Sequence, residues 1–246
     1  MNVVITSGGT SEKIDDVRKI TNRSSGKLGS IIASTLLTDK DLQIENLFYI
    51  CSKTALKPTG NKAHIIVVES ANSVLEAVKT VLKDNKIDVF IHTMAVSDYT
   101  VQYVSTSGLL AEYIEKNVNR EPIKYLIDNN QNKLAVNTKI SSNEDDLIIK
   151  LKKTPKIISQ IKLISPNTFL IGFKLLNDVP FEELKNRALE LMAKNSCDLV
   201  VGNDLSNITK YRHLATIFDT MGNELFCKTK KQIAETLTLK IKNMRW

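Results

Sequence analysis

Residues 1–29 constrain the fold more than any other stretch of the chain. Met1-Asn-Val-Val-Ile5 is short, apolar and rich in β-branched residues, the pattern of a strand buried on both faces of a parallel sheet. It breaks at Ser7-Gly8-Gly9-Thr10, where two glycines let the backbone turn tightly and come close to a ligand. The next helical pattern begins only at Leu28, inside Asn22-Arg-Ser-Ser-Gly-Lys-Leu-Gly29. The polar loop between strand and helix is about twenty residues long, against the usual two to six for such a connection. A loop of that length at the head of an α/β domain is typically functional.

Beyond it, strand and helix patterns alternate. Leu28, Ile31, Ile32 and Leu36 share one face of a helix over 28–37, and 46–51 and 64–68 read as strands. Ser70 or Asn72 caps a helix over 74–83 that buries Leu75, Val78 and Leu82, and a fourth strand spans 88–92. The pattern loosens over 102–137, where 111–118 is the best helical candidate and the rest is polar. It resumes with a strand at 147–151, a helix starting at Thr154-Pro155, a strand at 168–173, a helix over 181–194 and a strand at 198–202. A terminal hairpin of 215–218 with 224–226, turning at Met221-Gly-Asn223, and a helix over 230–241 complete the chain. The reading is α/β: a Rossmann-like, doubly wound, mostly parallel sheet with a C-terminal β-hairpin. It is one domain over 1–246, with a mobile flap or dimer-contact insertion at about 102–140.

Composition narrows the class. The 246 residues suffice for a large core, and 42% hydrophobic with 25% charged residues is ordinary for a globular protein. Apolar runs are strand-length, far short of the roughly twenty residues of a membrane span, and no leader pattern precedes the first strand. Cys51, Cys197 and Cys227 are scattered and form no CxxC pair, which suits reduced thiols in the cytoplasm. The net charge is +7. The lysines are spread over helix faces and loops without aromatic interleaving, so a small polyanion is a better partner than nucleic acid.

Four sets of residues can carry chemistry. Gly8-Gly9, with Thr10, and Ser24-Ser25-Gly26 before the first helix offer free backbone N–H groups to a phosphate, or are simply a turn and a helix start. Neither matches a P-loop or the GxGxxG fingerprint. Arg18 and Asn22 lie in the loop between them, where arginine meets anions bidentately and a carboxamide both donates and accepts. Ala95-Val-Ser-Asp98-Tyr99 follows the fourth strand, at the edge where open α/β sheets bind ligands. There Asp98 either hydrogen-bonds a substrate or caps the next turn. Gly172-Phe173-Lys174 and Gly202-Asn203-Asp204 end two further strands on that edge, suiting a base and a phosphate, though Phe173 fits core packing equally. His92 reads as a core residue. There is no Ser-His-Asp series and no Cys/His cluster, which weighs against hydrolase and structural-zinc chemistry.

The string from Ile5 to Gly29 closely resembles the opening of phosphopantothenate–cysteine ligases, in the free-standing bacterial form without a fused flavin decarboxylase domain. The likeness continues through Ala95-Val-Ser-Asp-Tyr99, Lys139-Ile140, Lys153-Thr-Pro155, Gly172-Phe-Lys174 and Gly202-Asn-Asp204, in order. The resemblance implies a homodimer that activates 4′-phosphopantothenate with a nucleoside triphosphate, CTP in most bacterial members and ATP in eukaryotic ones. Magnesium accompanies the triphosphate. An acyl-nucleotide forms with loss of pyrophosphate, and the amine of L-cysteine then displaces the nucleoside monophosphate. It further implies that Asn22 holds the acyl-nucleotide and that Arg18, of the same or the neighbouring subunit, holds the substrate phosphate. Ala95 and Asp98 would hold the pantothenate arm, and Lys139 the triphosphate. The nucleotide-binding set is Gly8, Gly9, Thr10, Ser24, Ser25, Gly26, Phe173, Lys174 and Asn203. Lys139-Ile-Ser-Ser142 keeps only the first lysine of the family's K-x-K-K pattern, and Lys174 stands where alanine is common. Two other readings start from the residues alone: a dinucleotide-dependent oxidoreductase on the same fold, and a non-catalytic nucleotide- or nucleic-acid-binding protein.

Overall fold

The structure, a computed structural model, describes residues 1–59 and 62–244. In chain order it contains β1 (Asn2–Ser7), β2 (Ser11–Lys13), β3 (Lys19–Thr21), α1 (Lys27–Thr38), β4 (Asn46–Ser52), β5 (Ala63–Val68) and α2 (Ala71–Asp84). Next come β6 (Val89–His92), β7 (Tyr99–Ser105), α3 (Ser107–Asn117), α4 (Ile123–Asp128), β8 (Ile148–Lys153) and α5 (Ile158–Ile164). The last part holds β9 (Phe169–Leu176), α6 (Phe181–Asn195), β10 (Leu199–Ile208), β11 (His213–Asp219), β12 (Glu224–Cys227) and α7 (Lys230–Lys242).

Contacts draw two compact units. The first joins Met1–Thr10, Asn22–Val96 and the chain from Lys156 onward; the second joins Ser11–Thr21 and Ser97–Pro155. The second is wider than the insertion expected at 102–140. The polar opening loop folds into the β2–β3 hairpin and binds the later segment, as where Thr100 Oγ1 donates to Glu12 Oε2 at 2.7 Å.

The first unit is built on an eight-stranded sheet in the order β12-β11-β10-β9-β6-β1-β4-β5. The six strands from β10 to β5 are parallel, and β11 and β12 add the C-terminal hairpin antiparallel. Alternation along the strands sorts side chains to two cores. Val3, Ile5, Ile91 and Val201 pack with Ile32 and Leu36 of α1 and Leu237 and Ile241 of α7. Val4, Phe90, Leu170 and Val200 pack with Val74 and Val78 of α2, Ile161 of α5, and Ala188 and Met192 of α6. Each fully buried side chain of this size contributes about 1.5–3 kcal/mol, so these two layers dominate the unit's stability. Ser70 caps α2 in a reciprocal box with Ser73. The helix expected at Thr154-Pro155 starts later, at Ile158, because the Thr154 hydroxyl is used on the Ser97 carbonyl and its amide on the Asp98 carbonyl.

The second unit pairs β7 with β8 antiparallel, with a register shift between Val101 and Tyr103. Tyr103 anchors α4 by donating from its hydroxyl to the Ile127 carbonyl at 2.6 Å. Leu126 and Ile140 are its buried apolar plugs.

Candidate active site

In the first unit the strand order reverses between β1 and β6, and the carboxyl ends at such a switch point are where open α/β sheets bind ligands. Gly9 bridges to Ala95; the Ala95 amide donates to the Gly8 carbonyl at 2.9 Å and the Thr10 amide to the Ala95 carbonyl at 3.1 Å. The Asn22 amide then donates to the Thr10 carbonyl at 3.0 Å. Asn22, far along the opening loop, is thereby fixed on top of the switch point. Gly9 is required for this: a Cβ on it would sit 1.9 Å from the Asn22 carbonyl oxygen. The half-buried Asn22 carboxamide bonds none of the described residues.

Ser24, Ser25 and Gly26 lead from Asn22 into α1. Gly26 takes φ +68° at the N-cap, a left-handed conformation that favours glycine. Ser7 Oγ donates to the Gly26 carbonyl at 3.1 Å, and the Leu56 amide to the Ser25 carbonyl at 3.0 Å. The Gly26 and Lys27 amides meet Ser24 and Ser25 Oγ, each at 3.4 Å, and the first turn of α1 holds no acid, so the helix start presents only weakly held donors to an anion. Helix α7 begins on the same edge, since Asn203, Ala215 and Cys227 stand level across the sheet just before it. Burial, together with the charge of Lys27 at the start of α1, holds Lys230 below its ordinary pKa. Burial and the Lys230 charge lower His213 to about 4. This edge is cationic, and it raises the local concentration of polyanions.

Phe173 and Asn203 lie on the same face of the sheet as α1, because they share parity with Ile171 and Val201 of that core. Lys174, the next residue, projects to the opposite face, level with Gly202, and the structure does not gather it with Phe173 and Asn203. Asp204 has a structural task. It accepts from the Asp178 and Val179 amides at 3.0 and 2.9 Å and from Ser206, clasping the β9–α6 turn to β10. The Ser206 hydroxyl leads the bonds that hold its carboxyl well below the carboxylate range.

Arg18, Asp98 and Lys139 belong to the second unit. Arg18 Nε and Nη2 donate to Asp15 Oδ2 at 2.9 and 2.6 Å, and Nη2 also donates to the Ile140 carbonyl at 3.2 Å. Arg18 is thus brought beside the segment bearing the exposed Lys139. Asp98 is exposed, and its carbonyl accepts from the Thr154 amide at 3.0 Å.

His92 is a packed residue, as its sequence position suggests: its Nδ1 meets Thr6 Oγ1 at 2.8 Å, and burial lowers it to about 4. All three cysteines are buried, and burial pushes the Cys197 thiol up to about 12. Among the described residues no three His, Cys, Asp or Glu side chains converge on a metal position, and no helix is long and apolar enough to cross a membrane. Sequence reasoning missed Ser7 and Thr93, whose side chains stand under Gly29 and let α1 approach β1; only their place at strand ends could have marked them.

Comparison with known proteins bears on the family of the chain. A curated relative, the coenzyme A biosynthesis bifunctional protein CoaBC of Thermococcus kodakarensis, is 30% identical over 243 residues, covering 98% of this chain and 51% of the relative. The chain spans about half the length of such curated relatives. A crystal structure of the DNA/pantothenate metabolism flavoprotein from Streptococcus pneumoniae superposes with a TM-score of 0.82 at 38% identity, covering 98% of both chains. The C-terminal domain of a CoaBC protein gives 0.68 at 26% identity, covering 98% of this chain and 93% of that one. The family described as DNA/pantothenate metabolism flavoprotein C-terminal domain matches residues 1–119 and 128–244, and this chain belongs to it.

Proposed function

We propose that this protein is a phosphopantothenate–cysteine ligase of coenzyme A biosynthesis, joining 4′-phosphopantothenate to L-cysteine through an acyl-nucleotide. The observation that carries the reading is Asn22, held by its backbone over the glycine turn at the switch point, with a carboxamide that bonds none of the described residues. In the first step a carboxylate oxygen of phosphopantothenate attacks the α-phosphorus of the triphosphate and pyrophosphate leaves. The Gly8-Gly9 turn and the start of α1, with the Ser24 and Ser25 hydroxyls beside Gly26, offer donors to the phosphates. In the second step the cysteine amine attacks the acyl carbon and the nucleoside monophosphate departs. The Asn22 carboxamide donates to the oxyanion that develops there.

Phe173 and Asn203 are assigned to the base, and Lys174, on the opposite face of the sheet, is left out of that set. Lys139 steadies the triphosphate as charge moves to pyrophosphate, Arg18 holds the substrate phosphate, and Ala95 and Asp98 the pantothenate arm. CTP is favoured over ATP on the habit of bacterial relatives. Among the described residues no carboxylate cluster is placed to bind it, so magnesium would arrive with the triphosphate, held by phosphate oxygens and water, and neutralise the leaving pyrophosphate. A homodimer in the cytoplasm fits the same reading.

The test is pyrophosphate release with phosphopantothenate, cysteine and each nucleoside triphosphate in turn. Release with one triphosphate, highest for CTP, supports the assignment. No release with any of them refutes it.

A further inference from the structure

Arg18 and Lys139 are far apart in sequence, yet one carboxylate touches both their segments. Asp15 is almost wholly buried and uses its two oxygens differently. Oδ1 accepts from the Val17 and Arg18 amides at 2.9 and 2.7 Å, closing the turn between β2 and β3. Oδ2 accepts from Arg18 Nε at 2.9 Å, from Arg18 Nη2 at 2.6 Å and from the Ile140 amide at 3.2 Å. Nη2 completes the ring by donating to the Ile140 carbonyl. Of the five guanidinium donors, those on Nε and Nη2 are committed inward, and the two on Nη1 bond none of the described residues. The side chain stays 39% exposed. An anion therefore meets Nη1 on a guanidinium whose other edge is already fixed, so little side-chain entropy is lost on binding.

The geometry points to Asp15 as a positioning residue that sets the Nη1 edge of Arg18 toward a phosphate monoester and links it to the Lys139-Ile140 segment. The inference rests on the proposed ligase reading for the identity of the two anions, the substrate phosphate at Arg18 and the triphosphate at Lys139. Through Ile140, whose amide and carbonyl are both gripped, the lysine next to it is placed by the same carboxylate. The acid in this arginine motif then serves both halves of the first step, without touching either anion itself.

Asp15→Asn separates this role from the turn. The remaining side-chain oxygen can keep the Val17 and Arg18 amides, while the new NH2 faces three donors on the Oδ2 side. If Asp15 positions both segments, this variant raises the KM for 4′-phosphopantothenate and lowers kcat for pyrophosphate release, each by about tenfold to a hundredfold, the worth of a charge-assisted bond. Backbone hydrogen exchange over 138–142 also accelerates, and Asp15→Glu recovers part of both kinetic losses. A purely structural Asp15 predicts a lowered melting temperature with KM and kcat per folded molecule unchanged, and that result overturns the inference. Exchange at Ile140 as slow as wild type in Asp15→Asn overturns it as well. The wild-type assay separates the two claims: silence with every triphosphate refutes the ligase reading, whereas exchange over 138–142 reports on the Asp15 link regardless of substrate.

Discussion

Replacing Gly9 by alanine tests the switch-point geometry directly. The added Cβ would lie 1.9 Å from the Asn22 carbonyl oxygen, 2.9 Å from its carbonyl carbon and 3.4 Å from the Ser24 amide nitrogen. All three are backbone atoms and cannot rotate away, so Asn22 has to retreat by about 1 Å, a misplacement of the size that costs roughly 100-fold in rate. The Asn22–Thr10 hydrogen bond stretches with it, and overpacking of this kind costs about 1–3 kcal/mol of stability. Gly222→Ala is the control. Gly222 has φ +84° with nothing within 4 Å of an added Cβ, so the change carries only backbone strain of about 1–2 kcal/mol. Steady-state pyrophosphate release and urea unfolding of both variants separate the effects. The expected outcome is comparable destabilisation in both and a roughly 100-fold lower kcat/KM in Gly9→Ala alone. Wild-type turnover in Gly9→Ala, or an equal loss in Gly222→Ala, would refute the argument that Gly9 exists to seat Asn22.

Asn22→Asp should release pyrophosphate yet fail to turn acyl-nucleotide into product, because a carboxylate repels the developing oxyanion; full turnover in single-turnover assays counts against the assignment. Acid should destabilise the fold in a defined window. Burial pushes Asp219 up, but bonds from Asn223 and Lys240 outweigh it and leave it at about 2, while Asp15 and Asp204 also lie below the ordinary 3.8. A lowered folded pKa gives stability that is complete above 3.8 and lost as pH falls through the folded values, here between about 4 and 2 and lower. Urea midpoints from pH 5 to 2 should fall less steeply in Asp219→Asn, and an unchanged slope tells against the bonds described. His92 and His213, both near 4 against an ordinary 6.5, should show ring-proton NMR shifts that stay flat down to about pH 5. Phe90→Ala, at a fully buried central-strand position, should cost about 3–5 kcal/mol.

The sheet was readable from sequence because its strands are buried on both faces and announce themselves as β-branched runs. Val3, Val4 and Ile5 form such a run, and so do the residues around Phe90. The α2 start was readable for a different reason, since Ser70 supplies local capping chemistry whatever the tertiary context. The second unit was hidden. Its β2 and β3 are three-residue, polar strands whose partner contacts come from residues near 100 and 140, and β7 carries a register shift that erases its alternation. At the candidate site, the glycines and Asn22 were visible as motif residues, but not that the Asn22 backbone rests on Gly9. The burial of Asp15 was not legible, because nothing local shows that Ile140 closes over it. Lys174 was placed with Phe173 by adjacency in sequence, and strand alternation is what sends it to the other face.

The Asp15–Ile140 bond also sets a timetable for synthesis. Its ends are 125 residues apart, and at 5–20 residues per second a ribosome takes roughly 6–25 s to deliver the second after the first. Through that interval Asp15 has only the local partners of its own turn, the Val17 and Arg18 amides and the Arg18 guanidinium, between two strands too short to persist alone. The nascent chain therefore carries Ser11–Thr21 as an unsettled excursion while β4, β5 and β6 assemble on β1. That segment completes its structure only as the distant strands β7 and β8 emerge.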